Sequence, residues 1–432
     1  MNVSFIILAA GKGTRMNNDL PKVLHEICGK TLISYVLRGV SEFNSKQVIA
    51  ITSPDLPEVD HYMSEKYPQT KITHQKERLG TGHAVKLALP ALPESGVTIV
   101  LYGDTPFISK QTIDEIIKRL KTCDICILGF NAANPKGYGR LILNKEGNLV
   151  EIIEEKEASE KQKSIKLCNS GVMGFNNKNI GNLIKLIKNN NSKKEYYLTD
   201  AVKIARSKNL KAGYVITTEE EVIGVNSQVE RASAEIIRQN YLRKKHMENG
   251  VILIAPETTF FSEETKISAG AIIHPYCIFK GGVTVAKNTE IFAFSYLEDC
   301  SIASDVRIGP YARIRPQSKL QKGSRIGNFV EIKNSVIGDD SKINHLSYIG
   351  DSEIGKNVNI GAGTITCNYD GKNKYKTVVA EGAFIGSNSS LVAPVKVGKE
   401  AIIGAGTTLF EDAPAGKITI NQMPIKNLKK KK

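Results

Sequence analysis

Residues 302–332 read IASDVRIGPYARIRPQSKLQKGSRIGNFVEI, with an isoleucine or leucine at every sixth position. The positions are Ile302, Ile308, Ile314, Leu320, Ile326 and Ile332. Six residues are a whole number of strand repeats, so these side chains share one face of a strand, whereas a helix with 3.6 residues per turn would scatter them. The same spacing runs from Ile267 to Leu409, with shortened steps and one irregular insertion, TCNYDGKNKYKT. Because Gly, Asn or Asp recur between the apolar positions, the pattern predicts the stacked coils of a parallel β-helix rather than an ordinary sandwich.

Length and cysteine content limit the class of protein. The 432 residues allow two to four domains, and the sequence itself indicates two. The seven cysteines are scattered and odd in number, which favours reduced thiols in the cytoplasm. Cys123 and Cys126 form a lone CxxC, which we interpret as buried thiols rather than a metal or redox site, because no second pair or histidine stands at a zinc-like spacing. With no apolar run of about 18 residues, we expect no membrane insertion.

The chain is strongly basic, with a formal net charge of +15, so we expect an anionic partner. It has no Trp, only 6% aromatic residues and no recognisable nucleic-acid module, which favours small phosphorylated substrates over nucleic acid. The lysine-rich tail, Lys426 to Lys432, is interpreted as a solvated terminus, with a ligand-facing role as the alternative.

The N-terminal half alternates strand-like and helical segments. Strands are predicted at Val3 to Ala10, Val48 to Thr52, Val97 to Tyr102 and Ile125 to Phe130, and a helix at Ile113 to Lys121. This order is typical of a Rossmann-like α/β domain with a parallel sheet and crossover helices. Ligands of such sheets bind beyond the carboxyl ends of the strands, where the loops GKGTRM and YGDTP lie.

The first of these loops has the chemistry of a phosphate site. Gly11 and Gly13 allow backbone N–H groups to approach phosphate oxygens, and Lys12, Arg15 and the downstream Lys22 supply cationic donors. The loop matches neither the Walker A nor the GxGxxG pattern.

Asp104 ends the apolar strand TIVLYGD in the second loop. A carboxylate at the rim of a sheet can bridge a hard divalent cation, best Mg²⁺, to phosphates. The alternative role for an aspartate at the end of a strand is to cap a turn or a helix.

Seven motifs occur in the order LAAGKGTRM, PKVLH, GTGHA, YGD, GYGR, EYYLTDA and GVN, and together they resemble the sugar-nucleotide pyrophosphorylases. Essentially end to end, the chain is similar to the bifunctional N-acetylglucosamine-1-phosphate uridylyltransferases and glucosamine-1-phosphate acetyltransferases. This resemblance implies a left-handed β-helix, a homotrimer, Mg²⁺ as cofactor, and UTP and acetyl-CoA as co-substrates. It implies domains at 1–226 (uridylyltransferase), 227–250 (a connecting helix in which His246 is structural) and 251–432 (acetyltransferase with the basic tail).

The resemblance also assigns the uridylyltransferase residues. Leu8, Ala9, Gly11, Gln75, Gly80 and Thr81 would hold the uridine, with Gly13 and Gly103 in the same substrate site. Arg15 and Lys22 would be catalytic and hold the triphosphate. Tyr102, Gly139, Glu154 and Asn169 would grip the sugar, and Asp104 and Asn226 would coordinate Mg²⁺. Since the sugar phosphate is already a nucleophilic anion, positioning and charge neutralisation suffice for catalysis.

His345, in INHLSYIG, is the candidate base for acetyl transfer, because an imidazole titrates near neutrality and can accept a proton from a sugar amine. By resemblance, Arg315 and Lys333 would bind the phosphate of glucosamine 1-phosphate, with Tyr348, Asn359 and Lys374 nearby. Ala362, Asn368, Tyr369, Ser387 and Ala405 would contact the acetyl group and CoA. The amine would attack acetyl-CoA directly, with a covalent route through Cys367 as the alternative.

The chain departs from the family pattern near its end, where the family usually places an arginine against the CoA 3′-phosphate. Here the sequence reads KITINQMP, and the lysine tail is the alternative cation. The prediction is a cytoplasmic enzyme that acetylates glucosamine 1-phosphate and then uridylylates the resulting N-acetylglucosamine 1-phosphate. The product would be UDP-N-acetylglucosamine for envelope polysaccharides such as peptidoglycan and lipopolysaccharide. Two alternatives remain: a single-activity pyrophosphorylase with a regulatory β-helix, and an assembly subunit without catalysis.

Overall fold

The computed structural model describes residues 2–191 and 193–421. Within it the chain divides into two compact units, Met1–Ile237 and Arg238–Lys432. The lysine tail and the last residues of KITINQMP lie outside the described residues. The domain boundaries predicted from the sequence therefore stay a prediction.

The first unit alternates strands and helices. Its strands are β1 (Val3–Leu8), β2 (Glu26–Ile27), β3 (Lys30–Thr31), β4 (Gln47–Thr52), β5 (Lys71–His74), β6 (Val97–Tyr102), β7 (Ile125–Asn131), β8 (Arg140–Leu143), β9 (Leu149–Ile153), β10 (Leu167–Asn176) and β11 (Ala212–Thr217). Its helices are α1 (Leu32–Ser41), α2 (Pro57–Lys66), α3 (Thr81–Ala88), α4 (Lys110–Arg119), α5 (Glu160–Lys163), α6 (Asn177–Leu186) and α7 (Asp200–Ser207). Short 3-10 helices lie at Thr14–Met16, Lys22–Leu24 and Leu89–Ala91.

Nine strands of the first unit form one sheet, whose main path runs in the order β11-β7-β10-β6-β1-β4-β5. Along this path neighbouring strands are parallel except for β10, which is antiparallel to both β6 and β7. The sequence predicted a parallel sheet, so the reversal of β10 is a correction. β8 pairs with β10 and β9 beside the main path.

Helices cover both faces of this sheet. Phe5 and Ile7 pack into a cluster with α1, α2 and α4, whereas Ile6 points into a second cluster with α3, α6 and α7. This alternation follows from the period of two in an extended strand. With both faces covered, the carboxyl ends of β1, β4 and β6 remain as the edge at which the glycine loop can bind a ligand.

Helix α8 (Gln228–Glu248) contains the point at which the chain divides, and short strands follow it. They are β12 (Ile252–Leu253), β13 (Lys266–Ile267), β14 (Ile272–Ile273), β15 (Ile278–Lys280), β16 (Thr284–Val285), β17 (Glu290–Ile291), β18 (Tyr296–Glu298), β19 (Ser301–Ile302), β20 (Arg307–Ile308), β21 (Arg313–Ile314), β22 (Lys319–Leu320), β23 (Arg325–Asn328), β24 (Glu331–Lys333), β25 (Val336–Ile337), β26 (Lys342–His345), β27 (Tyr348–Gly350), β28 (Ser352–Ile354), β29 (Asn359–Ile360), β30 (Ile365–Cys367), β31 (Thr377–Val379), β32 (Phe384–Ile385), β33 (Ser390–Val392), β34 (Val395–Val397), β35 (Ile402–Ile403), β36 (Thr408–Leu409) and β37 (Ile418–Thr419). A 3-10 helix lies at Pro256–Thr258.

These strands form three parallel sheets, in which each strand pairs with the third strand along the chain, except that β12 pairs with β14 and β35 with β37. Face 1 contains β12, β14, β17, β20, β23, β26, β29, β32, β35 and β37. Face 2 contains β15, β18, β21, β24, β27, β30, β33 and β36, and face 3 contains β13, β16, β19, β22, β25, β28, β31 and β34. The periodic residues are the buried ones, as in Ile308, Ile332 and Ile349, each 0% exposed. Burial of each such side chain stabilises the coil by roughly 1.5 to 3 kcal/mol, and the parallel β-helix predicted from the period is confirmed.

Large rings line the corner between face 1 and face 2, which we call the first corner. Tyr276, Phe294, Tyr311 and Phe329 stack in consecutive coils with ring centroids 4.9, 4.9 and 5.2 Å apart. All four residues have positive φ angles, between 56° and 61°. This left-handed conformation costs non-glycine residues roughly 1–2 kcal/mol, which aromatic stacking of about 0.5–1.5 kcal/mol per pair partly offsets.

Candidate active sites

A cavity of about 610 Å³ opens in the first unit beside the glycine loop. The predicted site residues in its wall are Leu8, Ala9, Gly11, Lys22, Gln75, Gly80, Thr81, Tyr102, Asp104, Glu154 and Asn169. Four further predicted residues, Gly13, Gly103, Gly139 and Asn226, lie next to these residues in the chain or in space without forming part of the wall, and Arg15 also lies outside the wall. Residues from separate strands and loops therefore converge on one space, as the order of the motifs predicted.

The conformation of the glycine loop depends on Gly13. Its φ is +65°, and a Cβ at this position would lie 2.5 Å from Cβ of Lys22. Glycine therefore allows the two segments to approach and brings Lys22 to the cavity. Arg15 follows in a 3-10 helix that is anchored by the buried Met16, and the Arg15 side chain itself is exposed.

Lys22, Asp104 and Asn226 form the charged centre of the cavity. The Lys22 ammonium contacts the Asp104 carboxylate and lies 3.1 Å from Oδ1 of Asn226. The Asp104 carbonyl accepts a hydrogen bond of 2.9 Å from the backbone N–H of Val225, which holds the two chain segments together. The expected approach of Asp104 and Asn226, far apart in sequence, is therefore observed.

The donor set of this centre fits Mg²⁺. One carboxylate oxygen and one amide oxygen already converge on a single cation, the Lys22 ammonium. Mg²⁺ is commonly held by one or two protein oxygens, with substrate phosphates and water completing its octahedron. In the described part of the chain, no three His, Cys, Asp or Glu side chains cluster as a metal cage, so a metal here would depend on substrate oxygens.

Glu154 and Tyr102 form the polar wall predicted to face the sugar. Burial raises the pKa of Glu154, although the Thr199 hydroxyl donates a hydrogen bond of 3.1 Å to its Oε1. Burial, with Asp104 nearby, also raises the pKa of Tyr102, so the phenol stays neutral. Gly171 makes room for this ring, because a Cβ there would lie 2.9 Å from it.

Asn169 connects this wall to the GYGR motif. Its backbone N–H donates to the Gly139 carbonyl at 2.8 Å, and its Oδ1 accepts a hydrogen bond of 3.0 Å from the N–H of Gly171. A Cβ on Gly139 would lie 3.6 Å from both carboxylate oxygens of Glu154. Gly139, Glu154 and Asn169 are therefore close neighbours.

Several wall residues were not predicted from the sequence. Lys193, Glu195, Tyr197 and Thr199 contribute to the wall. All but Lys193 belong to the quoted motif EYYLTDA, which could have indicated them. Arg78 also lines the cavity, and its Nε donates a hydrogen bond of 2.7 Å to the Ala10 carbonyl. It stands in none of the quoted motifs, so no signal in the sequence indicated it.

In the second unit, His345 lies at the first corner in a column with three predicted CoA contacts. Parallel register places His345 beside Asn328, and Ile343 beside Ile360. The same register brings Ala362, Ser387 and Ala405 to the equivalent place in the following coils. Close stacking depends on the preceding glycines, since a Cβ on Gly361 would lie 2.5 Å from the backbone nitrogen of Ser387.

Asn328 fixes the orientation of the candidate base. Nδ1 of His345 lies 3.0 Å from Oδ1 of Asn328. Because an amide oxygen only accepts hydrogen bonds, this contact places the proton of neutral His345 on Nδ1. Nε2 of the exposed ring is then the atom that can accept a proton.

Arg315 and Lys333 lie at the opposite edge of face 2, in consecutive coils. Nη1 of Arg315 lies 2.9 Å from Oε1 of Glu331, and Nζ of Lys333 lies 3.8 Å from Oδ2 of Asp351. Neither acidic partner was predicted from the sequence. Both cations are therefore directed along face 2 before any phosphate is bound.

Asp351 is the centre of a polar cluster at this edge. Burial opposes its ionisation, but the amides of Asn334 and Asn368 and the charges of Lys333 and Lys374 outweigh burial and lower its pKa. The Asn334 amide donates to Oδ1 at 2.7 Å, and the Asn368 amide donates to Oδ2. Asn368, Lys374 and Lys333 therefore all interact with the same carboxylate, that of Asp351.

The structure does not bring all predicted acetyl-site residues together within one chain. Tyr348 lies on face 2, where it pairs with Glu331, whereas Asn359 lies on face 1. Tyr369 is exposed in the irregular insertion, where its hydroxyl donates to the Gly371 carbonyl at 2.6 Å.

Three family models match this chain. A MobA-like NTP transferase domain covers residues 5–163, a GMPPB C-terminal domain covers 296–370, and the bacterial transferase hexapeptide (six repeats) covers 376–411. Together with the two units, these matches define the class: a nucleotidyltransferase domain followed by a hexapeptide transferase domain. The second unit is the left-handed parallel β-helix of the hexapeptide proteins.

Curated relatives identify the family. The chain is 43% identical to a Bifunctional protein GlmU from Bartonella quintana, over 95% of this chain and 92% of the relative. It is 42% identical to those of Thermoanaerobacter pseudethanolicus and Wolbachia pipientis wMel, over 96% of this chain and 94% and 96% of the relatives. The chain belongs to the family of the Bifunctional protein GlmU. It is a bifunctional enzyme of UDP-N-acetylglucosamine synthesis, with uridylyltransferase and acetyltransferase activities.

Within residues 2–191 and 193–421, no helix has both the length and the apolar character needed to cross a bilayer.

Proposed function

We propose that the cavity of the first unit is the uridylyltransferase site, with Mg²⁺ held by Asp104 and Asn226. The supporting observation is the convergence of these two oxygens on the ammonium of Lys22, a residue of the cavity wall. When bound, the metal would neutralise charge on the triphosphate. Lys22, beside it, and Arg15, on the glycine loop, add positive charge where negative charge develops on the leaving pyrophosphate.

The nucleophile in this reaction is the phosphate of N-acetylglucosamine 1-phosphate. One of its oxygens forms a bond to the α-phosphorus of UTP, and the bond from that phosphorus to pyrophosphate breaks. No general base is needed, because the attacking oxygen is already an anion. Leu8, Ala9, Gly11, Gln75, Gly80 and Thr81 form the uridine side of the cavity, with Gly13 and Gly103 behind it. Tyr102, Gly139, Glu154 and Asn169 form the sugar side.

In the second unit, we propose that His345 is the general base of acetyl transfer. Nε2 takes a proton from the 2-amino group of glucosamine 1-phosphate as the nitrogen attacks the thioester carbonyl, and CoA leaves as the thiolate. The Asn328 contact supports this role because, in the neutral ring, it leaves Nε2 as the nitrogen that can accept a proton. This direct attack needs no covalent intermediate on Cys367.

Arg315 and Lys333 would bind the sugar phosphate across face 2, with Tyr348 between them and the base and with Lys374 nearby. Ala362, Ser387 and Ala405 would contact acetyl-CoA along the first corner, and Asn368 and Tyr369 would do so from the insertion. A cation for the CoA 3′-phosphate would have to come from residues such as the lysine tail, outside the described part of the chain.

A homotrimer is part of this proposal. The hexapeptide repeat suggests oligomerisation, and Asn359 lies on a different face from Tyr348. A neighbouring copy that presents its face 1 to face 2 would bring Asn359 to the sugar. The seven free cysteine thiols suit a reducing compartment, which supports a cytoplasmic location. In the proposed order of reactions, acetylation precedes uridylylation.

Two variants test the assignment of one activity to each unit. Asp104→Ala removes the only carboxylate of the proposed metal pair, so uridylyl transfer should fall by about 10²-fold or more while acetyl transfer is unchanged. His345→Ala should lower acetyl transfer by about 10² to 10⁴-fold and leave uridylyl transfer unchanged. Separate assays of pyrophosphate and of CoA release measure both rates.

His274→Ala is the matched control for the second variant. His274 lies in the same unit, contacts Glu290 at 3.1 Å and stacks on Phe292, away from the His345 column. It should retain acetyl transfer per folded molecule. Normal uridylyl transfer by Asp104→Ala, or normal acetyl transfer by His345→Ala, would refute the corresponding assignment.

A further inference from the structure

The GYGR motif ends in Arg140, a residue that the proposed mechanism does not use. Its side chain is only 1% exposed, which makes it one of the largest fully buried side chains of the chain. A buried guanidinium must be paired, because an unpaired ion in the interior costs several kcal/mol. An apolar residue on the same strand would avoid this cost, so the arginine needs a reason beyond packing.

The contacts of Arg140 supply that reason. Nη2 donates to Oε2 of Glu155 at 2.7 Å and to the Lys163 carbonyl at 3.0 Å, and Nη1 donates to the Tyr138 carbonyl. Glu155 and Lys163 lie near the two ends of one segment, residues 154–163, which leaves β9 and ends in helix α5. One planar side chain thus ties both ends of this segment to β8.

The segment carries part of the cavity wall, namely Glu154, Glu155, Lys156 and Glu157. Its first two residues have opposite environments. The hydrogen bond from Arg140 lowers the pKa of Glu155, whereas burial raises the pKa of Glu154. Arg140 thus binds Glu155, whereas Oε1 of the neighbouring Glu154 accepts the hydrogen bond from the Thr199 hydroxyl.

Backbone register extends this effect to the other residues of the sugar side. Arg140 pairs with Ile153 on β9, directly before Glu154, and with Cys168 on β10, directly before Asn169. Gly139 precedes Arg140 itself. Three residues proposed to grip the sugar are therefore each one position away from Arg140 or from one of its two backbone partners.

We propose that Arg140 is a positioning residue that sets the sugar side of the uridylyltransferase cavity by holding residues 154–163 through Glu155. This inference rests on the proposed function of the first unit. It concerns recognition of N-acetylglucosamine 1-phosphate and leaves recognition of UTP to the glycine loop, which Arg140 does not contact.

Arg140→Gln and Glu155→Gln test this proposal in the full-length enzyme. Each should raise KM for N-acetylglucosamine 1-phosphate by about 10-fold or more, because small displacements of positioning groups are costly, and change KM for UTP by less than about twofold. Glu160→Gln is the matched control: the same chemical change in the same segment, at a carboxylate whose side chain is 90% exposed. Its KM values should equal those of the wild type.

Acetyl transfer by the second unit and the thermal unfolding of each variant report on folding. If Arg140→Gln does not fold, Glu155→Gln alone decides, because its partly exposed side chain is not part of the core. An unchanged sugar KM in a folded Arg140→Gln or Glu155→Gln, or equal rises in both KM values, would overturn the proposal. Absence of UDP-N-acetylglucosamine formation by the wild type would instead overturn the proposed function.

Discussion

Cationic side chains at both sites already contact acidic or amide oxygens. Lys22 contacts Asp104 and Asn226, Arg315 contacts Glu331, and Lys333 lies near Asp351. These contacts orient the cations, and in the proposed sites phosphate binding would exchange one partner for another. An exposed arginine on the glycine loop, Arg15, is different, because it lies outside the cavity wall.

Arg15→Ala should therefore lower uridylyl turnover without lowering stability. The side chain is exposed, so its removal should change the free energy of unfolding by no more than about 0.5 kcal/mol. Loss of a positive charge at the transition state should cost about 10²-fold or more in kcat. Steady-state kinetics and thermal unfolding measure the two effects. Lys118→Ala, at an exposed position of α4, serves as the control, and normal turnover in Arg15→Ala would contradict the role.

The sequence indicated the cations of both sites and missed the acidic partners of Arg315 and Lys333. Motifs identified Lys22, Arg315 and Lys333 because each stands in a characteristic stretch. Glu331 and Asp351 were not singled out from the sequence, but each lies about one coil after its cation, at separations of 16 and 18 residues. Once the coil length is known, that separation is a usable signal for contacts across neighbouring coils.

At the level of elements, the local sequence pattern predicted the strands and buried positions that depend on neighbouring residues alone. The predicted strand Val97 to Tyr102 coincides with β6, and the period of six positions the buried residues of the coils. The direction of β10 could not be predicted, because it depends on which distant strands it joins, β6 and β7, rather than on its own composition. Likewise, the sequence alone could not show that Tyr348 and Asn359, both predicted for the acetyl site, lie on different faces.

His246, near the end of α8, gives this element a pH dependence. Its ring lies 4.7 Å from that of Phe261, and Nε2 has no hydrogen-bond partner in the part of the chain that the structure describes. Burial lowers the pKa of His246 to about 4 from the ordinary 6.5. Between those two pH values the unfolded chain binds more protons, so stability is lost as pH falls through this window, by about 3 kcal/mol in all.

Urea unfolding of the second unit between pH 7.5 and pH 4 measures this effect. His246→Phe keeps a ring against Phe261 and removes the titrating group, so its stability should fall less on acidification than that of the wild type. His61→Phe is the control, since the side chain of His61 is 85% exposed and should contribute nothing to the difference. Equal losses in wild type and His246→Phe would show that His246 is not responsible.

On the scale of the whole molecule, the two units correspond to the two domains of a bifunctional enzyme. A nucleotidyltransferase domain and a hexapeptide domain both match known families, and relatives align with nearly the full chain. The order of motifs predicted this arrangement. Asn359 and Tyr348, both predicted for the acetyl site, lie on different faces of one chain.

The most direct measurement incubates the full chain with glucosamine 1-phosphate, acetyl-CoA, UTP and Mg²⁺, omits each component in turn, and identifies products by mass. The complete mixture should yield UDP-N-acetylglucosamine, pyrophosphate and CoA. Without UTP or Mg²⁺, N-acetylglucosamine 1-phosphate should accumulate, and without acetyl-CoA the glucosamine 1-phosphate should remain unreacted. A nucleotide sugar formed without acetyl-CoA, or a complete mixture that releases no CoA or no pyrophosphate, would contradict successive processing of one amino sugar by this chain.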